Sequence, residues 1–148
     1  VPSSYSSLFL HLIFSTKYRE PLIQPEWKDR LYGYIGGILR EDHHTLLAAG
    51  GIEDHIHLLT LISRDVAVKD LLRTIKTNSS RWVHEVIGAP FEWQRGYCAI
   101  SVSPSATRSV ERYIHNQEKH HKGKTFEDEI VGILDASGIP YDRKYLLT

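Results

Sequence analysis

Between Thr45 and Ile62 the chain reads TLLAAGGIEDHIHLLTLI. Two β-rich runs, Thr45 to Ala49 and His55 to Ile62, flank Gly50-Gly51, and this predicts two strands joined by a turn that needs positive backbone angles. Residues two apart in a strand project to the same side, so His55 and His57 share one face while Ile56 points to the other.

Upstream, Leu8 to Phe14 is apolar on both alternating faces, as a covered central strand would be. From Pro25, a good first-turn residue, Trp27, Leu31, Tyr34, Ile35 and Ile38 recur at helical spacing. Gly33, Gly36 and Gly37 oppose that helix by about 1 kcal/mol each relative to alanine, unless close packing needs their small size.

Downstream, Val68, Leu71, Leu72, Ile75, Ser79, Trp82, Val83 and Val86 trace one face of a second helix ending near Gly88 and Pro90. Lys69, Arg73 and Lys76 occupy its opposite, exposed stripe. A short strand near Trp93 and a clearer one from Tyr97 to Val102 follow. Ser103-Pro104 then opens a third helix running to about His121, and Thr125 with Asp128 caps a fourth that Gly138 closes.

Strand, helix, two strands, helix, strand is the order of an α+β, ferredoxin-like (RRM-like) domain: an antiparallel sheet with helices on one face. The other face is expected to be free for chemistry or a partner, and a tyrosine-bearing helix is added at the C-terminal side. A length of 148 residues, 41% of them hydrophobic, fits one domain with one sizeable core.

Lys+Arg and Asp+Glu each number 18, so no field of one sign marks out nucleic acid or anionic lipid as partner. Nine histidines can still add local positive charge. Cys98, the single cysteine, excludes an intrachain disulfide and fits a reducing compartment, with cytoplasm as the default. The segment Val1 to Ser7 has no basic flank, and the apolar run after it contains His11 and is too short for a bilayer, so neither a signal peptide nor a membrane span is expected.

Two neutral imidazoles can bind a divalent ion but need a further ligand for a defined geometry. Tyr113 and Gln117 stand one helical turn apart and point the same way, with Val110 and Ile114 at core-facing positions beside them. A phenol, with a pKa of about 10, is a poor nucleophile unless it is activated and its electrophile is polarised. A bound metal supplies that polarisation to a phosphodiester. The plainer readings are a histidine pair on a solvated strand and a tyrosine whose ring is buried with its hydroxyl at the rim.

Asp54-His55-Ile56-His57-Leu58-Leu59 together with Tyr113-Ile114-His115-Asn116-Gln117-Glu118-Lys119-His120-His121 resembles the single-tyrosine HUH transposases. These are the TnpA-like enzymes of small insertion sequences and their REP-associated tyrosine transposase relatives. The resemblance extends to Leu10 to Arg19 and to Gly138 to Asp142. It implies His55, His57 and Gln117 as ligands of Mg2+ or Mn2+, and Tyr113 as a nucleophile that becomes joined to a 5′ phosphate and leaves a free 3′ hydroxyl. It also implies single-stranded DNA with hairpin-containing element ends as partner, rejoining without ATP, and a homodimer in which the tyrosine helix can serve the partner's site. Ser101 to Thr107 would be the connection allowing that exchange, or a plain strand-to-helix turn.

Lys69, Arg73, Lys76 and His121 are candidate DNA contacts, against the plainer reading of solvated faces. His120 and His121, three and four residues past Gln117, also offer a further ligand or a proton shuttle. Trp93 and Tyr97 are placed in the core in preference to stacking on bases. Two rivals stand beside this reading. One is a non-catalytic nucleic-acid-binding domain derived from a transposase, which would have no chemical need for all four site residues. The other is a histidine-metal phosphohydrolase, whose third histidine is replaced here by Leu59.

Overall fold

A computed structural model describes residues 3–63 and 65–146. The first two residues of the N-terminal flank discussed above lie outside it. Strands β1 (Phe9–Ser15), β2 (Thr45–Ile52), β3 (His55–Leu61) and β4 (Cys98–Val102) form a four-stranded sheet in the order β2-β3-β1-β4. All neighbours are antiparallel, and Ile13 is paired with His57 and Cys98 on either side. This is the expected ferredoxin-like arrangement.

One face of the sheet carries Leu12, Phe14, Ile56 and Leu58 into the main core. Helix α1 (Pro25–Glu41) brings Trp27, Leu31, Ile35 and Leu39 to it, and α2 (Val68–Trp82) brings Leu71, Leu72 and Ile75. Helix α1 runs unbroken through its glycines. A Cβ at Gly36 would lie 3.6 Å from Leu46, and at Gly33 or Gly37 it would meet nothing within 4 Å, so packing does not demand the latter two. Helix α2 extends through a wider turn, Val83–Ile87, and stops at Gly88 in the left-handed region, as the sequence predicts.

The opposite face is not free, contrary to expectation. Helices α3 (Thr107–His115), α4 (Gln117–His120) and α5 (Phe126–Ala136) lie on that side. Ile114 packs with Ala48 and Leu59, and Phe126, Ile130 and Leu134 pack with Ile13 and Cys98. The apolar residues at α5 positions 126, 130 and 134 have to be buried somewhere, and a sheet face already holding Ile13 and Leu59 is where they go. Thr125 caps α5 by accepting from the Asp128 N–H at 3.1 Å, and Gly138 follows with positive φ.

Two further details differ from the sequence reading. The hairpin turns at Glu53–Asp54, while Gly50 and Gly51 lie inside β2. The turn is pinned by backbone bonds from Ile23 N–H to Glu53 O and from Thr16 N–H to Asp54 O, both 2.9 Å. Gly50 has a different role: a Cβ there would stand 2.2 Å from the Ile114 carbonyl oxygen, so its bareness lets α3 lie directly on β2. The tyrosine helix, expected as one piece from Ser103-Pro104 to His121, starts with a 3-10 turn at Pro104–Ala106 and breaks at Asn116. Asn116 has φ −97 and ψ 19, outside helical geometry, which suits a residue whose side chain competes with helical hydrogen bonding.

Because the atom in the way at Gly50 is backbone, Gly50→Ala is expected to cost about 1–3 kcal/mol. Gly37→Ala, with open space around it, is expected to be neutral or to gain up to about 1 kcal/mol. Urea unfolding of both variants checks this, and equal destabilisation by the two would contradict the close approach of α3 to β2.

Candidate active site

The period of β3 sends His55 and His57 to the side covered by α3 to α5, where both are fully buried. The break at Asn116 leaves Gln117 facing the same place, 1% exposed. From α5 comes Glu129, 2% exposed, and its carboxylate is the hub of the cluster. Glu129 Oε1 lies 3.3 Å from His55 Nε2, 3.1 Å from His57 Nε2 and 3.0 Å from His121 Nε2. Its Oε2 accepts from Gln117 Nε2 at 2.9 Å and from the Tyr113 hydroxyl.

Outer contacts hold the rings in place. His55 Nδ1 lies 2.8 Å from Asp54 Oδ1, and the ring stacks on Phe126 with centroids 4.2 Å apart. His57 Nδ1 lies 2.7 Å from His11 Nε2, so the histidine inside strand β1 backs one of the pair. Such partners fix which ring nitrogen faces inward.

Burial disfavours charge on His57 and lowers its pKa to about 4, and burial likewise lowers His11 to about 3. Burial pulls His55 down too, but hydrogen bonds to Asp54 and Glu129 outweigh it and raise the ring to about 9. Burial would raise Glu129, yet bonds from His55 and His57 hold it well below the usual carboxylate range. Burial, then the bond to Glu129, pushes the Tyr113 phenol upward, so Tyr113 is neutral as it stands.

The four residues singled out by sequence, Tyr113, His55, His57 and Gln117, are therefore brought together. His121 joins them with its side chain 4% exposed, and His120 Nε2 stands 4.0 Å from Glu129 Oε2. Lys69 and Arg73 are exposed on α2, across the sheet from the cluster, with Arg73 paired to Asp70 at 3.3 Å. Lys76 is not on an open stripe. It donates to the Gln94 and Gly96 carbonyls at 2.9 and 2.6 Å, and burial lowers its pKa to about 8. Trp93 is core, donating its indole N–H to Ser79 Oγ at 3.0 Å, while Tyr97 is 37% exposed.

Sequence reasoning missed Glu129 and the backing role of His11. Both carried a signal: Glu129 sits three residues past Phe126 and one before Ile130, an acid on the apolar stripe of α5. His11 shares the strand face of Ile13.

The donor chemistry suits a divalent cation. Asp54 is an acceptor, so a neutral His55 carries its proton on Nδ1 and turns the Nε2 lone pair toward Gln117 Oε1, 3.0 Å away, and Glu129 Oε1. Lone pairs meeting oxygens call for a cation between them: in the metal-free protein this is the second proton that His55 holds up to about pH 9, and a divalent ion would take its place. His55, His121 and Glu129 form a group able to hold a metal, with donor atoms within 4.8 Å of one another.

A family model described as "Transposase IS200 like" matches residues 4–117, a span containing His55, His57, Tyr113 and Gln117. The chain belongs to the IS200-like transposase family. Among curated relatives of this family member is the ISDra2 transposase TnpA of Deinococcus radiodurans, 25% identical over 114 residues, covering 72% of this chain and 81% of the relative. A solved structure of a candidate transposase from Deinococcus radiodurans R1 superposes with a TM-score of 0.62 at 25% identity, over 79% of this chain and 95% of that one. A REP-associated tyrosine transposase bound to a REP hairpin shares the fold, with a TM-score of 0.61 at 17% identity over 99% of this chain and 90% of that one. The family match stops at Gln117, so His121 and Glu129 lie beyond it. Among the described residues no helix is long and apolar enough to cross a membrane.

The buried rings set a pH dependence for the metal-free protein. His11 and His57 have folded pKa values below their unfolded value of 6.5, so the stability they contribute is present above pH 6.5 and lost as pH falls toward 4. His55 has the opposite sign: its contribution is full below 6.5 and lost as pH rises through about 9. As pH falls from 6.5 to 5 the protons these three rings take up on unfolding rise from about half of one to about two. Urea unfolding in EDTA at pH 6.5 and 5 should show the loss, and His11→Phe should reduce it; an unchanged slope in that variant would contradict a neutral, buried His11.

Proposed function

We infer that this transposase cleaves and rejoins single-stranded DNA through a 5′-phosphotyrosine intermediate, with Tyr113 as nucleophile. The observation that carries the reading is the convergence of Tyr113, His55, His57 and Gln117 on one buried carboxylate.

In this reading His55, His57 and Gln117 hold Mg2+ or Mn2+. The ion, when bound, withdraws charge from the phosphoryl oxygens of the scissile link. Tyr113 forms the new O–P bond as the bond to the 3′ oxygen breaks. The phenol loses its proton, and the departing 3′ oxygen gains one. One phosphodiester replaces another, so the energy is retained for rejoining. The hydroxyl needs release from Glu129 first, because a phenol donating to a carboxylate is held neutral.

His55 and His57 sit far inside, and access for a strand would come along the rim where Tyr113 and His120 stay partly exposed. Lys69 and Arg73 are proposed as phosphate contacts of the same DNA. The hairpin-bound relative supports hairpin-containing ends as substrate. A homodimer is part of the proposal; in a single chain, α3 already lies on its own β2 and β3, so one copy assembles all four residues.

Incubating wild-type and Tyr113→Phe protein with end-labelled single-stranded DNA from the element's ends, in Mn2+ or EDTA, tests this on denaturing gels. A metal-dependent covalent adduct is expected on the 5′ phosphate, with Tyr113→Phe reduced on the order of 10³-fold or more. DNA that binds but is never cut would favour a non-catalytic, DNA-binding descendant of the family.

A further inference from the structure

The cluster contains more donors than the three the reading above uses. His121 Nδ1 lies 2.6 Å from the Lys124 carbonyl oxygen, which can only accept. The proton of a neutral His121 is therefore on Nδ1, and its Nε2 lone pair points at Gln117 Oε1, 3.1 Å away, and Glu129 Oε1, 3.0 Å away. His55 is oriented the same way by Asp54, against the same two oxygens at 3.0 and 3.3 Å. Two lone pairs and two acceptor oxygens thus face one another in a buried space. Burial makes repulsion among these four atoms expensive, so some cation has to stand among them, either a second ring proton or a metal ion.

The separations themselves are informative. Donors about 2.0–2.2 Å from one ion, at octahedral or tetrahedral angles, lie about 2.8–3.6 Å apart. The pairs His55–Gln117, His121–Gln117, His55–Glu129, His57–Glu129 and His121–Glu129 fall between 3.0 and 3.3 Å, and His55, His121 and Glu129 form a group within 4.8 Å of one another from which His57 stands apart, held through Glu129. We propose that His121 and Glu129 are ligands of the same divalent ion as His55, His57 and Gln117. This rests on the metal reading given above and extends it.

Two consequences follow from the chemistry. Glu129 is the only anionic donor in the set, so it lowers the charge of the site and binds the ion more tightly than three neutral ligands would. Three imidazoles beside it favour Mn2+ over Mg2+, which prefers oxygen and keeps its water. Glu129 and His121 also lie past the span matched by the family model, so the ion would tie α5 to the shared core.

Mn2+ titrations of the full chain by calorimetry, with free Mn2+ followed by electron paramagnetic resonance, test the assignment on wild type, E129Q, E129A and H121A. Even outer-shell partners of a metal site cost about 10–100-fold in affinity, so loss of a ligand should weaken Mn2+ binding by about tenfold or more in each variant. The Mn2+-induced rise in melting temperature should shrink in parallel. E129Q keeps the size of the side chain, and H121A changes a different segment, so a folding defect in one variant leaves the other to decide. Unchanged or tighter Mn2+ binding in both E129Q and H121A would overturn the proposal and make Glu129 an occluding group. If that happens while the H55A/H57A double variant still loses Mn2+, the metal reading survives and only the two added ligands fall. A wild-type chain that binds no Mn2+ sinks both.

Discussion

Histidines, a glutamine and a glutamate can be buried together between a sheet and its covering helices only if each meets a partner, because an unsatisfied buried polar group costs about 1–3 kcal/mol. Here the partners are one another. The Glu129 carboxylate reaches His55, His57, His121, Gln117 and Tyr113, and the outer nitrogens of His55, His57 and His121 are met by Asp54, His11 and the Lys124 carbonyl. Removing any one member leaves others unpaired, so the cluster behaves as a unit. Each of α3, α4 and α5 carries or adjoins a member, so the cluster links all three to β3.

The backbone devices that make this possible are small. Gly50 lets the α3 carbonyl at Ile114 come against β2, which brings the tyrosine helix down to the level of the histidines. The break at Asn116 ends one helix and starts another, and Gln117 lies buried immediately after it. Apolar anchors at Phe126, Ile130 and Leu134 seat α5 on Ile13 and Cys98 so that Glu129 points inward. These anchors carry the helix, and the carboxylate travels with them.

Much of this was legible in the residues. Period-two spacing is a property of extended backbone, so the shared face of His55 and His57 followed from their positions alone. One helical turn between Tyr113 and Gln117 survived even a break at Asn116, because a single disrupted residue does not rotate the next turn far. The misplaced hairpin turn shows the limit. Gly-Gly is the commoner turn signal, but in this chain Gly50 serves a helix that crosses from elsewhere in the sequence, and nothing local distinguishes the two uses.

The sequence by itself determined the ferredoxin-like order, the two histidines on one side of one strand, and the tyrosine and glutamine on one side of a later segment. These depend on local periodicity and turn chemistry, which neighbouring residues encode. Only the tertiary structure decided that the second sheet face is covered, that Lys76 is tied to a loop, and that Glu129, His121 and His11 belong with the pair on β3. Those outcomes depend on which surfaces meet after the chain has folded back on itself. A buried acid on an amphipathic helix acquires its meaning from the imidazoles it touches, and two of them, His55 and His57, lie more than seventy residues earlier in the chain.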